Sequence, residues 1–258
     1  MEIDKSKFSK ETQDLIDLLL SPEWPEAVPD FLICADTEED KLGRAQGILD
    51  YAEFKLDGKK FCDFGCGEGH VATLASDYAS FTVGYDILEH ENFTKIQKER
   101  LLLTSSSNEL LANAPYDFIM VYDVIDHAEN PEALLSQLKA ISHKDTKIFI
   151  RFHSWMSRHA SHLYRQINKA WLHLVFTQKE IELLGLNPTF VYKYFTPLHQ
   201  QDKWIKSMNG IVEKSEITKS FVEPFFKQEK IFKRLPNINN RFPDWQMSQS
   251  FNDYWVKF

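Results

Sequence analysis

Residues 59–69 read KKFCDFGCGEG and contain three of the chain's nine glycines within five positions. The apolar residues before the glycines predict a buried strand, and the amphipathic segment 70–78 after them predicts a helix. Glycines at alternate positions behind a strand let the backbone turn sharply and let a ligand approach main-chain atoms. This order of strand, glycine turn and helix predicts a nucleotide-type cofactor site at the carboxyl edge of a parallel sheet.

Two acidic residues indicate which kind of cofactor the turn suits. The glycine spacing is G-x-G-x-G, and Asp63 lies inside the preceding strand. A carboxylate there would repel a pyrophosphate but would attract a cofactor that carries an ammonium and a sulfonium. The next predicted strand ends in Asp86, which can accept hydrogen bonds from both hydroxyls of a ribose. Asp63 therefore argues against NAD, whereas Asp86 suits nicotinamide and adenosyl cofactors alike.

Three motifs in order resemble those of the class I S-adenosylmethionine-dependent methyltransferases. Residues 63–69, DFGCGEG, resemble the first motif of that family, usually written D-x-G-x-G-x-G. Residues 85–87, YDI, resemble its ribose-binding motif, and residues 115–127, PYDFIMVYDVIDH, resemble its fourth-strand motif. The resemblance covers residues 61–195 and implies a methyltransferase that uses S-adenosylmethionine as its cofactor.

The resemblance also implies roles for residues around the methionine end of the cofactor. The backbone of Gly65, Cys66 and Gly67 would hold the methionine moiety. Asp63 would support its charge, and Asp123 would take its ammonium group.

The nucleoside end of the cofactor is assigned in the same way. Asp86 would bind the ribose, and Ile87 would pack on the adenine. The third strand is followed by residues 105–108, SSSN, where many family members carry an acid for the adenine amino group. We therefore assign adenine recognition to Ser106 or to the backbone beside it.

Each of these features also has a purely structural explanation. A glycine cluster after a strand can be a plain tight turn. Asp123 and Asp126 can be a helix N-cap and a solvated acid of the first helical turn, and His127 can simply orient a loop.

The segment 151–173 contains no acidic residue, although the formal net charge of the chain is −8. Its cationic and imidazole side chains are Arg151, Arg158, Arg165, Lys169, His153, His159, His162 and His173. In a helix, Arg158, His162 and Arg165 would share one face, which suits a carboxylate or phosphate group. In the family's fold the methyl acceptor approaches the carboxyl ends of strands four and five. Residues 123–127 and 151–173 are therefore the candidate acceptor pocket.

Methyl transfer needs in-line alignment of the acceptor and, for some acceptors, removal of a proton. We interpret Arg158 as the clamp for an anionic group of the acceptor, and His153 or His159 as the proton acceptor. His127, after the fourth strand, is a further candidate catalytic residue.

Two alternatives remain for these residues. The segment 151–173 can be a basic surface helix that pairs with the acidic N-terminal helices. The histidines, with Asp123, Asp126 or His127, can also supply metal ligands, but the interleaved arginines would repel a cation. We therefore assign no metal.

Composition limits the cellular compartments and the kinds of partner that we expect for the protein. No stretch of 18 apolar residues occurs and the N-terminus, MEIDK, is polar, so we expect no signal peptide and no membrane span. The three cysteines at positions 34, 62 and 66 suit reduced thiols in the cytoplasm. The acidic balance, with 15 acids against 6 lysines and arginines in residues 1–58, argues against a nucleic-acid partner.

Strands that alternate with helices predict an α/β fold with a doubly wound, mostly parallel sheet and an antiparallel last strand. The predicted strands are 60–64, 81–86, 100–104, 116–122, 146–152, 189–195 and 250–258. A polar helix is predicted near 93–99, and Thr177 with Glu180 three positions later predicts a capping box that opens a further helix. We predict one domain, with an N-terminal helical cap at 1–58, a cofactor-binding core at 59–195 and a closing strand at 249–258. Residues 196–248 are interpreted as an insertion of short helical pieces that serves the substrate or an oligomer.

These features predict a cytoplasmic enzyme that transfers a methyl group to an oxygen or nitrogen atom of a small, polar, anionic acceptor. A homodimer is compatible with the sequence. One alternative is a protein that binds S-adenosylmethionine without catalysis, as a sensor or a partner subunit. Another is a methyltransferase that acts on RNA or protein.

Overall fold

A computed structural model of the chain describes residues 3–28, 37–155, 157–188, 198–219, 223–234 and 249–258. The strands in these ranges are β1 (Lys60–Phe64), β2 (Phe81–Tyr85), β3 (Leu101–Thr104), β4 (Tyr116–Tyr122), β5 (Ser142–His153), β6 (Ile211–Lys219) and β7 (Gln249–Lys257). Within the described residues they form one seven-stranded sheet in the order β3-β2-β1-β4-β5-β7-β6.

The sheet is mostly parallel. β1 pairs in parallel with β2 and β4, β2 with β3, and β4 with β5. β7 runs antiparallel to β5, because the start of β5 meets the end of β7: the Phe258 amide donates to the carbonyl of Thr146, and Arg151 pairs with Asp253. The predicted α/β fold with a mostly parallel sheet and an antiparallel last strand is confirmed.

Helices connect and flank the strands. They are α1 (Lys10–Leu19), α2 (Glu38–Ala52), α3 (His70–Ala75), α4 (Asn92–Lys95), α5 (Ser107–Ala112), α6 (Pro131–Ala140), α7 (Leu172–Val175), α8 (Gln178–Leu183), α9 (Leu198–Ser207), α10 (Glu223–Phe226) and α11 (Glu229–Phe232). Short 3₁₀ helices occur at Lys5–Lys7, Ile125–His127 and Leu163–Arg165. Among the described residues, no helix is both long and apolar enough to cross a lipid bilayer.

Side-chain caps fix where several helices begin. Thr37 caps α2 by accepting a hydrogen bond from the Asp40 amide, and the predicted capping box of Thr177 and Glu180 opens α8. Asn130 caps α6, whose first residue is a proline, which suits that position because its missing amide has no partner there anyway.

The chain divides into two compact units, each assembled from separated segments. Unit 1 comprises Met1–Cys34, His153–Leu198 and Ile217–Asn252, and unit 2 comprises Ala35–Phe152, His199–Glu216 and Asp253–Phe258. The predicted single domain and its boundaries at residues 58, 195 and 248 stay predictions.

Unit 2 carries an apolar core on both faces of its strands. Successive residues of β1 show this, because Phe61 packs with Phe149 in one buried cluster while Cys62 packs with Val83 and Ile119 in another. Burial on both faces is typical of a parallel sheet covered by helices. Cys62 and Cys66 are free thiols, and Cys34 lies outside the described residues.

Unit 1 has its own core, in which α1 packs with two tryptophans. Leu15, Ile16 and Leu19 belong to one buried cluster with Trp24 and Trp171. The Trp24 indole donates to the carbonyl of Ala170 at 2.7 Å, so this large ring is buried with its polar atom satisfied.

Two sequence predictions need correction. Residues 196–247 were expected to form only short helical pieces, but they contain strand β6. Its polar composition misleads because it lies at the edge of the sheet, where Ile211 and Ile217 are exposed. The helix expected at 93–99 ends at Lys95. The strand expected at 189–195 lies outside the described residues.

Candidate functional site

The glycine turn after β1 is locked by hydrogen bonds to the next strand. The amides of Gly65 and Cys66 both donate to the carbonyl of Tyr85, at 2.7 and 3.0 Å. Gly65 has a φ of +82°, and a Cβ at this position would lie 2.3 Å from the side chain of Val124. Glycine is therefore required here both by the backbone conformation and by the close approach of the loop after β4.

The amides at the turn are used within the protein. The Gly67 amide donates to Asp86 Oδ2 at 2.9 Å, so the N–H groups of Gly65, Cys66 and Gly67 all donate hydrogen bonds within the protein. A pyrophosphate-binding turn needs such groups free to face the phosphates. This turn instead offers carbonyl and carboxylate oxygens, which suit a positively charged ligand.

The space beside Gly67 is open. Gly67 has a φ of +52°, and a Cβ built on it would meet no heavy atom within 4 Å. A ligand can therefore approach the main chain at this residue without displacing a side chain.

Asp63 is a buried carboxyl group at the end of β1. It is 4% exposed, and its Oδ2 atom has no hydrogen-bond partner among the described residues. Burial raises the pKa of Asp63 to about 7, and the charge of Asp86 adds to the rise. A buried carboxylate is unfavourable unless a cation or donor compensates it. Asp63 and the open space at Gly67 therefore fit the ammonium-bearing end of S-adenosylmethionine.

Asp86, Ile87 and Ser106 follow the neighbouring strands. Asp86 accepts the Gly67 amide on one oxygen and the Leu88 amide on the other, at 3.0 Å, which fixes the carboxylate while leaving acceptor capacity on both oxygens. Ile87 is 80% exposed, so none of the described residues packs over most of this apolar side chain. Ser106 caps α5 by accepting a hydrogen bond from the Glu109 amide.

The loop after β4 carries Asp123 and His127. Asp123 adopts a left-handed conformation with a φ of +55°, and its amide donates to the carbonyl of Arg151 at 3.2 Å. His127 ends the 3₁₀ helix that follows, and its Nε2 atom lies 3.8 Å from Asp126 Oδ2. Asp123 is attached to Val124, the residue that packs on the glycine turn.

The basic segment of unit 1 folds as a series of turns. The Ser157 amide donates to Ser154, the Ala160 amide to Ser157 and the His162 amide to His159. The expected helix, with Arg158, His162 and Arg165 on one face, is therefore wrong. His162 has a φ of +54°, a left-handed conformation that an α-helix cannot contain.

His153 and His159 lie in an aromatic cluster of unit 1. The rings of His153 and His159 are 4.9 Å apart, and Phe251 lies 4.7 Å from the first and 5.2 Å from the second. The pKa of His159 is lowered to about 3, mainly by burial and in smaller part by the neighbouring His153 and His162. An imidazole with so low a pKa is a weak base at neutral pH.

Arg158 has no acidic partner among the residues that the structure describes. Its guanidinium carbon lies 5.4 Å from the centroid of the Trp171 ring, and its Nε atom is buried without a hydrogen-bond partner. Burial lowers the pKa of Arg158, and no carboxylate among the described residues pairs with it. The guanidinium is thus fixed by stacking and remains available to an anion.

The predicted residues fall into two groups. In unit 2, hydrogen bonds and packing join β1, the glycine turn, Asp86 and the loop that carries Asp123. His127, Ile87 and Ser106 also belong to unit 2. Arg158, His153 and His159 belong to unit 1.

Sequence reasoning missed a buried ion pair in unit 2. Arg151 donates from Nε and Nη2 to the two oxygens of Asp253, each at 2.7 Å, and from Nη1 to the Tyr122 hydroxyl at 2.8 Å. The Tyr51 ring of α2 lies 5.0 Å from this guanidinium. The available signal was the acid Asp253 directly before the apolar run of residues 254–256 in the closing strand.

It also missed the ion pairs that join α2 to the glycine turn. Lys41 pairs with Glu68 at 2.7 Å, and His70 Nε2 lies 3.0 Å from Glu38. Glu38, Glu68 and His70 could each offer a ligand atom to one ion, but the Lys41 ammonium already pairs with both glutamates. This cluster is therefore an ion-pair network at the start of α2.

Comparisons with known proteins show the family and the fold of the chain. A family model described as a methyltransferase domain matches residues 40–228. No curated protein matches the chain. Similar solved structures include magnesium protoporphyrin IX methyltransferase from Synechocystis PCC 6803 with bound SAH (16% identity, 88% of this chain, 92% of that chain, TM-score 0.51).

Two further structures are similar. One is an S-adenosylmethionine-dependent methyltransferase from Listeria monocytogenes (11% identity, 84% of this chain, 98% of that chain, TM-score 0.52). The other is the plantazolicin methyltransferase BamL (14% identity, 88% of this chain, 93% of that chain, TM-score 0.50). At these identities the likeness shows the fold, and the family model covers most of the chain. The chain belongs to the class I S-adenosylmethionine-dependent methyltransferases.

Proposed function

We propose that this enzyme transfers the methyl group of S-adenosylmethionine to an oxygen or nitrogen atom of a small, polar, anionic acceptor. The observation that supports an anionic acceptor is the environment of Arg158. Its partly buried guanidinium stacks on Trp171 and lacks a carboxylate partner among the described residues. Guanidinium groups bind carboxylates and phosphates through paired N–H donors.

The residues of unit 2 hold the cofactor in this proposal. Asp63 and Asp123 compensate the ammonium group of the methionine moiety, Asp86 binds the ribose, and Ile87 and Ser106 flank the adenine. When bound, S-adenosylmethionine supplies an electrophilic methyl carbon, so the protein contributes mainly alignment.

Proton removal falls to an imidazole. A neutral acceptor hydroxyl or protonated amine must lose a proton during transfer, and a base near neutral pKa is most effective. His153 or His127 takes this role, because the low pKa of His159 makes it a weak base.

A survey of acceptors tests the proposal. The enzyme is incubated with S-adenosylmethionine and a panel of small carboxylic and phosphorylated compounds, and S-adenosylhomocysteine formation is measured. We expect turnover with an anionic compound and a KM for it that rises about tenfold or more in Arg158→Gln, with an unchanged dissociation constant for the cofactor.

The matched control is Arg165→Gln, which removes an exposed arginine from the same segment and should leave both constants unchanged. Equal loss of acceptor and cofactor binding in Arg158→Gln would reject the clamp. Cofactor binding without turnover of any compound would favour a sensor or partner subunit, and salt-sensitive turnover of RNA would favour the nucleic-acid alternative.

A further inference from the structure

Three consecutive residues of unit 1 each bury a polar atom that has no hydrogen-bond partner among the described residues. These atoms are Ser157 Oγ, Arg158 Nε and His159 Nδ1. Buried polar atoms are almost always paired in folded proteins, because an unpaired one forfeits its hydration without compensation. Three such atoms in a row therefore point to a ligand that supplies the missing partners.

The backbone around these residues is held in place by the protein itself. The Ser157 amide donates to the carbonyl of Ser154 at 2.8 Å, and the Trp171 amide donates to the carbonyl of Arg158 at 3.0 Å. The Arg158 guanidinium also stacks on the Trp171 ring. The backbone of this turn and the Arg158 guanidinium are thus held in place before a ligand binds, which reduces the entropy lost on binding.

The charge of this group is a single positive one. Arg158 carries it, while the pKa of His159, about 3, keeps that imidazole neutral at pH 7, and Ser157 is neutral. Lys169 donates instead to the carbonyls of Ser21 and Trp24, and Arg165 is exposed. One partly buried cation with two neutral hydrogen-bonding groups balances a monoanion, whereas a dianion would leave one charge uncompensated.

We propose that Ser157, Arg158 and His159 form a carboxylate-binding site, and hence that the methyl acceptor is a carboxylic acid held through its carboxylate. The paired N–H groups of the guanidinium match the two carboxylate oxygens, and the serine hydroxyl and the imidazole supply further hydrogen-bonding groups. This inference rests on the proposed function and narrows its acceptor from anions in general to carboxylates.

Nuclear magnetic resonance of the full chain saturated with S-adenosylhomocysteine tests the site. The signal of the Arg158 Nε–H group, assigned by its loss in Arg158→Lys, is followed while sodium benzoate or inorganic phosphate is added at a pH where phosphate is a dianion. We expect a saturable shift with benzoate. Phosphate should bind at least about tenfold more weakly than benzoate.

Three variants distinguish a specific site from a general electrostatic effect on benzoate binding. Ser157→Ala removes one atom and should weaken benzoate binding about tenfold, the usual effect of losing a hydrogen bond to a charged group. Arg165→Gln removes a positive charge from the same segment and should leave benzoate binding unchanged. His159→Gln keeps a side-chain donor and should retain most of the affinity.

The results that overturn the inference are specific. They are phosphate binding as tightly as benzoate, no shift of the Arg158 signal with benzoate up to its solubility limit, or unchanged benzoate binding in Ser157→Ala. Titration of S-adenosylhomocysteine in the same samples keeps the two proposals apart. Failure of that titration rejects the proposed function, whereas normal cofactor binding without benzoate binding rejects the carboxylate site alone.

Discussion

At the scale of single residues, Asp63 links cofactor choice to pH. Its carboxyl group is buried and its pKa rises from 3.8 to about 7. A carboxyl group with a raised pKa binds its proton more tightly in the folded than in the unfolded chain. Its contribution to stability is therefore present below about pH 4 and is lost as the pH rises through about 7. In the cofactor-free protein, ionised Asp63 opposes folding, and a bound ammonium group would reverse this effect.

The first prediction concerns that titration. Affinity for S-adenosylmethionine should rise about tenfold between about pH 5.5 and about pH 7, because ionised Asp63 attracts the ammonium group. Isothermal titration calorimetry measures this, and the rise should vanish in Asp63→Asn. The same variant should melt at a higher temperature than the cofactor-free wild type at alkaline pH. An unchanged pH profile in Asp63→Asn would show that another group is responsible.

The second prediction concerns Gly67. Gly67→Ala and Gly185→Ala both place a Cβ in open space on a backbone with positive φ, so each should lower the free energy of unfolding by about 1 kcal/mol. Only Gly67→Ala should also weaken cofactor binding, by about tenfold or more, because its methyl group would occupy space that we assign to the methionine moiety. Urea unfolding and calorimetry measure the two effects. Equal cofactor affinity in both variants would remove Gly67 from the site.

The residues of the cofactor motifs were predictable from the sequence. Those assigned to the acceptor were only partly predictable. The order of Asp63, the glycines and Asp86 follows from local spacing, which the sequence displays directly. The unpaired atoms of Ser157 and His159 depend on burial and on turns that end in the left-handed residue His162. Nothing in the local sequence specifies that burial, because it arises from contacts with distant segments.

At the scale of helices and strands, a buried ion pair ties the closing strand to the sheet. Arg151 of β5 binds both oxygens of Asp253 in β7, and Asp253 is 0% exposed. The Tyr51 hydroxyl of α2 lies 2.9 Å from the same carboxylate. Removing one member of such a pair leaves an uncompensated buried charge.

The third prediction follows from that pair. Arg151→Gln should lower the free energy of unfolding by about 3 kcal/mol or more, because it strands the buried Asp253 carboxylate. Lys95→Gln, which breaks an exposed pair with Glu91, should change it by about 0.5 kcal/mol or less. Urea unfolding of both variants provides the comparison. A loss in Arg151→Gln no larger than that in Lys95→Gln would contradict this role.

Elements with buried apolar runs were predicted well, and elements at the edge were not. β1 and β4 lie where their apolar residues indicated. β6 was missed because Glu213, Lys214 and Glu216 give it a polar pattern. These side chains form an ion pair with β5, a ring contact with β7 and a hydrogen bond with α2, respectively. A strand that is stabilised by such distant partners carries little local signal.

At the scale of the whole molecule, the arrangement of the chain is not visible in local sequence. In unit 1, Thr12, Glu180 and Arg234 meet in one polar cluster although they lie in three distant segments. Spacing and periodicity describe neighbours along the chain, so they predicted the elements but not the two compact units.

The fourth prediction uses the charge of the molecule. With a net charge of −8, the protein should show no saturable binding to a single-stranded RNA at physiological salt, because it would repel the phosphate backbone. Fluorescence anisotropy of a labelled RNA measures this, with a basic RNA-binding protein as the positive control. Binding that weakens steeply with added salt would instead support an RNA acceptor.

The central claim is that the turn at residues 65–69 binds the cationic end of S-adenosylmethionine and has no place for a pyrophosphate. Calorimetric titration of the purified protein with S-adenosylmethionine and, separately, with NADH tests it most directly. We predict one saturable site for S-adenosylmethionine and no measurable heat with NADH. Tight binding of NADH, with none of S-adenosylmethionine, would contradict the account.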